Sequence, residues 1–353
     1  METPLHSLFH SFGADFAEQD GVHLPLRASG VGAEYEAARD ALALFDGGDR
    51  GWLEMSGADA AGFLQRLLTS DVDALADGGG QWSAMLDAKG KWVADLLLFR
   101  FERGGQTVIG IDLPASRQQA VHGAFERFHF AEELSWGAPG HARLMLCGAG
   151  AESGLRALRL PLPPATDAAA LAHQDLLILR RPDRGVPCLE LLGPATRVEG
   201  LARELHDAGA VPSGLVVLDI LRVEAFEPRF GADFDDQTSL PESNEWRRAS
   251  FTKGCYTGQE VVARINTYGE SPRQLCRLRF DGGTRPLHGC ELVDDDGKKL
   301  GVVSSWVYSP LHDAPLGLAT LRRKAAETGA RLWAVAGDER VGARVSVPEK
   351  VTG

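Results

Sequence analysis

The chain has 353 residues, of which 44% are apolar and 24% are charged, and its formal net charge is −12 at pH 7. This length exceeds the ~100 to 200 residues of a usual single domain, so we expect more than one domain. No segment approaches the ~20 continuous apolar residues that span a bilayer. The negative charge disfavours binding to phosphate backbones, so we expect no direct contact with nucleic acid or membrane.

The N-terminal residues METPLHSLFHSFGADFAEQDG lack a basic start followed by an apolar run, and they include acidic residues. These features argue against a signal or transit peptide, so we expect a cytoplasmic protein. The cysteines are scattered and include no C-x-x-C pair, which predicts reduced thiols rather than a disulfide framework or a zinc site. The histidines show no metal-ligand spacing, so we predict no metal site. The five cysteines are Cys147, Cys188, Cys255, Cys276 and Cys290.

The first clear elements are a helix and a hairpin. Residues 55–75, MSGADAAGFLQRLLTSDVDAL, repeat apolar residues at helical spacing after Ser56 and Asp59, which resemble a capping box. Residues 82–101, WSAMLDAKGKWVADLLLFRF, contain two apolar runs around a glycine-containing turn, which predicts a β-hairpin. Mixed helices and strands indicate the α+β class.

Beyond residue 138, the sequence predicts first a loop and then, from about residue 270, a series of short strands. Between residues 138 and 199, a strand-like RLMLCG precedes Pro161, Pro163 and Pro164, which predict a loop. After Ser271, short apolar runs alternate with turns, as is typical of a small antiparallel barrel. We therefore predict a domain of residues 1–270 followed by a C-terminal β-barrel of residues 271–353.

Residues 253–260, KGCYTGQE, form what we call the signature segment. Thr257 and Glu260 fit a capping box at the start of a short helix, QEVVARI. Cys255 would then lie just before a helix N-terminus and near Lys253, and both features favour a thiolate. The alternative is structural, because a free cysteine is commonly a small buried apolar residue and capping boxes occur at helix starts that bind nothing.

A second string, LRVEAFEPRFGADF at residues 221–234, places Arg222 and Glu224 on alternate positions. An isolated Arg-x-Glu is usually a surface ion pair. The preceding GLVVLDILRVEA is so apolar that Glu224 is expected near the core edge, where a buried carboxylate needs a partner. The edge of a pterin could supply two parallel N–H groups.

Several residues near the signature segment could also contact a ligand. The local cluster of basic residues would suit a small anion better than a duplex, and Trp246 and Tyr256 could form walls for a flat ligand. By default, tryptophan and tyrosine side chains are core residues. The basic residues are Arg247, Arg248, Lys253 and Arg264.

Taken together, these strings resemble the YgfZ family of folate-binding iron–sulfur maintenance proteins, which are related to the glycine-cleavage T-protein aminomethyltransferases. The resemblance covers most of the chain, and the signature segment is its most specific part. The matching strings are GADAAGFLQRLLTSDV, SAMLDAKGKWVADLLL, RVEA, PRFGADF, LPES, SFTKGCYTGQEVVAR, GKKLGVVSS and PLGLATLRR.

The resemblance implies two interleaved α+β lobes around a channel that binds tetrahydrofolate, followed by a C-terminal antiparallel β-barrel. It implies that Glu224 binds the pterin and that Lys253 and Cys255 occupy the reactive positions of the signature. On this basis we assign Cys255 and Lys253 as catalytic. The assigned cofactor-binding residues are Glu224, Arg222, Tyr256, Gln259 and Arg264.

Departures from the T-protein pattern favour the YgfZ branch. T-proteins carry paired aspartates in the hairpin, and the first serves in folate chemistry, whereas this chain has Ala94 followed by Asp95. T-proteins also tend to have an acid at the position of Cys255 and a basic residue at that of Gln259. Leu240-Pro241-Glu242 is closer to the mitochondrial relatives than to some YgfZ members.

Three functions follow as hypotheses. The leading one is a tetrahydrofolate-dependent accessory protein that serves iron–sulfur enzymes, including those that modify tRNA, through contact with client or assembly proteins. The rival is a folate-dependent aminomethyl or one-carbon transferase, against which Ala94 argues. The third is a folate-binding adaptor without chemistry, which would tolerate the loss of Cys255.

Overall fold

A computed structural model describes residues 1–182, 184–269, 271–282 and 285–349. By Cα packing the chain divides into two units. The first comprises Met1–Ser83 and Asp95–Leu218, and the second comprises Ala84–Ala94 and Asp219–Gly353. The predicted boundary near residue 270 falls beside a residue outside the described ranges, so the division into residues 1–270 and 271–353 stays a prediction.

The described α-helices are short and alternate with strands along the chain. They are α1 (His6–Ser11), α2 (Val31–Asp40), α3 (Ala60–Leu67), α4 (Gln118–Phe128), α5 (Ala151–Ala157), α6 (Ala195–Asp207), α7 (Leu215–Glu224), α8 (Leu240–Ser243) and α9 (Gln259–Tyr268).

The described strands form sheets of mixed size. They are β1 (Asp15–Gln19), β2 (Val22–Arg27), β3 (Ala43–Asp46), β4 (Arg50–Ser56), β5 (Gly80–Leu86), β6 (Trp92–Arg103), β7 (Gln106–Pro114), β8 (Ser135–Gly137), β9 (Ala142–Cys147), β10 (Ala169–His173), β11 (Leu176–Arg180), β12 (Cys188–Gly193), β13 (Val211–Pro212), β14 (Arg273–Phe280), β15 (Glu291–Val293), β16 (Lys299–Ser309), β17 (Ala314–Arg322), β18 (Arg331–Ala336) and β19 (Glu339–Ser346).

Two sheets share the first part of the chain. One has the order β10-β11-β12-β9-β3-β13, and the other has the order β5-β6-β7-β4-β8. The chain leaves the first sheet after β3, builds the second, and returns to the first at β9, so the two lobes are interleaved. Strands β9 and β12 are buried along their whole length, which explains their nearly continuous apolar sequences.

The C-terminal strands close into an antiparallel barrel with the order β14-β17-β16-β15-β18-β19. In β14, Cys276, Leu278 and Phe280 face the barrel core, while Arg277 and Arg279 alternate with them. This two-residue period is that of a strand with one buried face, whereas the barrel was predicted from short apolar runs separated by turns. The predicted α+β class, the two interleaved lobes and the C-terminal antiparallel barrel are confirmed.

The local predictions were partly right. The hairpin of residues 82–101 is present as β5 and β6, and RLMLCG lies in β9. The helix predicted over residues 55–75 is shorter, because α3 runs only from Ala60 to Leu67 and no side chain caps its start. Asp59 instead accepts a hydrogen bond from the Glu133 amide at 2.7 Å. Among the described residues, no helix is both long and apolar enough to cross a bilayer.

Candidate functional site

Arg222 lies buried in the last turn of α7, and all of its guanidinium nitrogens are engaged. Its Nε donates to Asp219 Oδ1 at 2.6 Å, and its Nη1 donates to Asp233 Oδ2 at 2.7 Å. Its Nη2 donates to Ser305 Oγ in β16 at 2.8 Å. Burial lowers the pKa of this guanidinium, but the Asp233 and Asp219 carboxylates outweigh burial and raise it. Arg222 therefore stays charged and ties the end of α7 to the barrel.

Glu224, the last residue of α7, is a buried carboxylate that also contacts the barrel. Ser309 Oγ donates to Glu224 Oε1 at 2.5 Å, and Arg277 Nη2 donates to the Glu224 carbonyl oxygen at 2.9 Å. Burial lowers the pKa of Arg277, and the charge of Glu224 opposes that change. The chain itself thus supplies a partner for this carboxylate and holds it in a fixed position.

The signature segment is irregular up to Gly258, and α9 begins at Gln259. The predicted capping box of Thr257 and Glu260 is wrong, because Gly258 is the N-cap and no side chain caps the helix. Gly258 has a φ of 82°, and a Cβ there would stand 2.5 Å from the Asp87 carbonyl oxygen. Packing against the β5–β6 turn therefore fixes the start of the helix.

Cys255 is exposed and lies three residues before the N-cap of α9. Its neighbour in the sequence is Gly254. A Cβ on Gly254 would meet no described atom within 4 Å, so the surroundings of Gly254 are open. The chain around this thiol thus leaves room for a ligand or a partner.

Tyr256 points into a buried aromatic cluster within the same unit. It is 7% exposed and shares this cluster with Trp92 and Trp246. Burial raises the pKa of Tyr256 to about 12, and its hydroxyl has no hydrogen-bond partner among the described residues. The Nζ of Lys253 lies 5.5 Å from the centre of the Tyr256 ring, within cation–π distance. Buried Tyr256 therefore anchors the segment that carries Lys253 and Cys255.

The basic residues near the segment do not form one open patch. Arg248 is 1% exposed, and its Nε donates to Glu245 Oε2 at 2.6 Å. Arg247 also pairs with Glu245, at 3.3 Å. Arg264 is exposed on α9, where Gln259 is half-buried in the first turn. Of the predicted cluster, Arg247 and Arg248 are partly neutralised by one carboxylate.

The assigned residues thus fall into groups. Arg222 and Glu224 contact strand β16, Lys253 contacts Tyr256, and Gln259 and Arg264 lie on α9. All of them belong to the second unit. Their roles in catalysis and cofactor binding remain proposals.

The cysteine prediction needs a correction. Cys147 and Cys188 form a disulfide, so the expectation of five reduced thiols was wrong. They are 41 residues apart, but antiparallel pairing of β9 with β12 places them directly opposite each other with a Cα–Cα distance of 4.4 Å. The three free cysteines differ in exposure, because Cys255 is exposed, Cys290 is half-buried and Cys276 is buried.

A buried ionic network in the first unit was missed by the sequence analysis. Asp112 accepts bonds from Arg143 and, at 3.0 Å, from Arg181, and its other oxygen lies 2.5 Å from Arg50 Nη2. Burial raises the pKa of Asp112, but these three arginines outweigh burial and hold it well below its usual range. Arg50 also pairs with Asp95 at 3.1 Å. The sequence signal for this network was the presence of single charged residues within otherwise apolar strands, because a buried charge requires a partner.

In the part of the chain that the structure describes, no group of three or more His, Cys, Asp or Glu side chains could hold a metal ion.

The fold and these sites define a protein of the glycine-cleavage T-protein class. The description of the GCVT N-terminal domain matches residues 5–245, and that of the glycine cleavage T-protein C-terminal barrel domain matches residues 273–350. The chain therefore belongs to the GCVT family.

Its curated relatives include proteins named aminomethyltransferase. The one from Halalkalibacterium halodurans is 29% identical, with 93% of this chain and 92% of the relative covered. The one from Rubrobacter xylanophilus is 31% identical, with 90% and 86% covered. The crystal structure of the glycine cleavage system aminomethyltransferase T from Bartonella henselae superposes with a TM-score of 0.92 at 23% identity, covering 98% of this chain and 97% of that one. At 23% identity, this structural similarity shows a shared fold.

Proposed function

We propose that the chain is a tetrahydrofolate-binding accessory protein of the YgfZ type, which serves the synthesis or repair of iron–sulfur enzymes, including enzymes that modify tRNA. The observation that carries this proposal is the exposed thiol of Cys255, flanked by Lys253 and held by the buried ring of Tyr256. An accessible thiol beside a cation suits transient chemistry with a partner. We assign this activity to the cytoplasm.

The proposed folate site uses buried polar groups of the second unit. Glu224 offers a buried carboxylate that can accept N–H bonds from a pterin, and Tyr256 offers a buried hydroxyl without a described hydrogen-bond partner. Both features fit a flat ligand rich in donors and acceptors. Arg222 would position the Glu224 turn, while Gln259 and Arg264 would contact the ligand from α9. Bound tetrahydrofolate would supply a carrier of one-carbon groups.

Cys255 acts alone in this proposal. A stable iron–sulfur cluster normally needs four thiolates, and one exposed cysteine supplies a single ligand. The client or assembly protein would contribute the remaining ligands, so Cys255 would take part only in a transient complex. The positive charge of Lys253 would stay near the Cys255 thiol throughout the encounter.

A second candidate function is folate-dependent aminomethyl transfer, which the names of the curated relatives favour. Two features of the hairpin argue against it. Ala94 is completely buried and carries no carboxylate. The adjacent carboxylate of Asp95 is buried and paired with Arg50.

Complementation tests the proposal. In a cell that lacks its own YgfZ-type protein, the parent chain and a Cys290→Ser control should restore the activity of a tRNA-modifying iron–sulfur enzyme. Cys255→Ser should fold and bind tetrahydrofolate but fail to restore it. Full restoration by Cys255→Ser would overturn the proposed role and favour a folate-binding adaptor.

A reconstituted glycine-cleavage reaction separates the two candidates. We expect no turnover of the aminomethylated carrier protein with tetrahydrofolate. Robust turnover by the parent chain would favour the transferase.

A further inference from the structure

A cavity of about 620 Å³ is lined by residues of the first unit, whereas all the residues assigned to folate and thiol chemistry belong to the second. This volume lies within the ~300 to 1,000 Å³ of typical small-molecule sites. One side of the cavity is apolar, and buried residues of three strands contribute to it. The apolar walls include Pro4, Val22 in β2, Trp52 in β4, Pro139 and Leu192 in β12. The cavity therefore suits an apolar body.

The first residues of the chain form another wall, and hydrogen bonds hold them in place. The His23 amide donates to the Met1 carbonyl oxygen at 2.8 Å. Thr3 Oγ1 donates to Asp46 Oδ2 at the end of β3. The cavity is thus formed before a ligand arrives, so binding requires little ordering of the chain.

Arg143, on β9, lines the cavity and carries an unsatisfied donor. Its side chain is only 4% exposed. Its Nε donates to Glu190 Oε2 at 2.9 Å, and its Nη2 donates to Asp112 and Glu190. Its Nη1 is buried and has no hydrogen-bond partner among the described residues. Because a buried donor without an acceptor is costly, this guanidinium favours a ligand that brings an acceptor.

His141 adds a second unsatisfied group to the walls. Its Nδ1 is buried without a hydrogen-bond partner in the described part of the chain. Burial lowers the pKa of His141, so the ring is neutral near neutral pH and can offer one N–H group. The amide of Gln118 lines the same cavity. A carboxylate has two oxygens that accept hydrogen bonds, so it can satisfy more than one of these groups.

The charges around the cavity favour a ligand with a single negative charge. Asp46 lines the cavity, but burial raises its pKa to about 7, so much of this carboxyl is uncharged near neutral pH. The side chain of Glu2 is 70% exposed, and solvent screens its charge. Arg50 and Arg143 are already paired with carboxylates. One further negative charge therefore suits these walls better than several.

We infer that this cavity binds a small monocarboxylate with an apolar body, whose carboxylate accepts from Arg143 Nη1 and whose body packs against Trp52 and Leu192. Charge-assisted hydrogen bonds between a guanidinium and a carboxylate are stronger than those to a neutral acceptor. An amide of the same shape should therefore bind more weakly, and an amine should be repelled. The inference does not rest on the proposed folate site, because the described walls belong to the first unit.

Calorimetric titration with phenylacetate, phenylacetamide and phenethylamine tests the ligand class. We expect the parent chain to bind phenylacetate at least about tenfold more tightly than phenylacetamide, the factor that one charge-assisted hydrogen bond adds, and to show no binding of phenethylamine. Arg143→Gln/Glu190→Gln removes both charges of a buried pair, which is milder than removing one, and should bind the acid no better than the amide. Arg203→Gln, at an exposed position on α6, is the control and should keep the preference.

The indole signals of the ¹⁵N-labelled parent chain locate the ligand without any substitution in the cavity. The chain has seven tryptophans, and Trp52 lies in the wall of this cavity. Phenylacetate should shift the Nε1–H signal of Trp52, identified by its loss in Trp52→Phe. The signals of Trp246, Trp306 and Trp333, which belong to the second unit, should stay unchanged.

Each other outcome contradicts a stated part of the inference. Equal affinity of the parent chain for the acid and the amide, or an unshifted Trp52 signal, would overturn the site. These two measurements decide the question even where the double variant does not fold. A folded double variant that keeps the preference would overturn the role of Arg143. Displacement of phenylacetate by an equimolar amount of tetrahydrofolate would assign the cavity to folate and overturn its assignment to a separate ligand.

Discussion

A Cβ atom on Gly258 would stand 2.5 Å from the carbonyl oxygen of Asp87. This contact packs the signature segment directly against the β5–β6 turn, and the φ of 82° at Gly258 adds a second reason for glycine. The second glycine of the segment therefore fixes the position of α9. The first, Gly254, has neither constraint, because a Cβ there meets open space and its φ is not positive.

The two glycines form a matched pair for substitution. Gly258→Ala should destabilise the chain by at least about 1 to 2 kcal/mol, the usual cost of a left-handed conformation for a residue with a side chain, with the backbone clash in addition. Gly254→Ala should unfold at the same denaturant concentration as the parent chain. Equal stability of the two variants in urea unfolding would show that Gly258 does not fix the helix start.

The cysteines should differ sharply in reactivity. Under native, non-reducing conditions, iodoacetamide should label exposed Cys255 first and half-buried Cys290 more slowly. Cys276 should resist labelling, because burial raises its pKa to about 12. Cys147 and Cys188 should react only after reduction and unfolding. Peptide mass spectrometry over time follows each site, and labelling of Cys276 as fast as Cys255 would contradict the described burial.

Asp46 should make stability depend on pH. Burial raises its pKa to about 7, although hydrogen bonds from Thr3 and Gly48 oppose that change. In an unfolded chain the pKa of aspartate is about 3.9. The folded state therefore keeps the Asp46 proton up to a higher pH than the unfolded chain does. Its contribution to stability is full below pH ~4 and is lost as pH rises to about 7.

Asp46→Asn should remove this loss, so the variant should exceed the parent in unfolding free energy above pH 7 by roughly 2 to 4 kcal/mol. Urea unfolding at pH 5 and pH 8 measures the difference. Asp73→Asn, at an exposed loop position, is the control and should follow the parent chain. Parallel loss of stability in Asp46→Asn and the parent would contradict the proposed titration.

The fold was largely predictable, because local periodicity carries most of its information. The short apolar runs separated by turns after Ser271 predict the barrel strands, and the glycine-containing turn predicts the β5–β6 hairpin. The Cys147–Cys188 disulfide was not predictable in this way. It depends on the pairing of β9 with β12, and strands β10 and β11 intervene in sequence.

In the candidate site, too, contacts with residues distant in sequence limited what the local sequence pattern could predict. The pattern Ser/Thr-x-x-Glu occurs at Ser239–Glu242 and at Thr257–Glu260, and only the first forms a capping box. At the second, the packing of Gly258 on a turn distant in sequence overrides the local pattern. The partners of Arg222 and Glu224 on β16 were similarly hidden, because they lie more than 80 residues ahead in the chain.

The central claim is that this chain binds tetrahydrofolate through Glu224. Calorimetric titration of tetrahydrofolate into the parent chain and Glu224→Gln tests it most directly, since glutamine keeps the shape of the side chain and an oxygen that can accept from Ser309. Loss of one charge-assisted hydrogen-bond acceptor should cost about 1.5 to 3 kcal/mol, or roughly 10- to 150-fold in affinity. Glu204→Gln, at an exposed position on α6, should bind as the parent does. Unchanged affinity in Glu224→Gln, or no binding by the parent chain, would contradict the account.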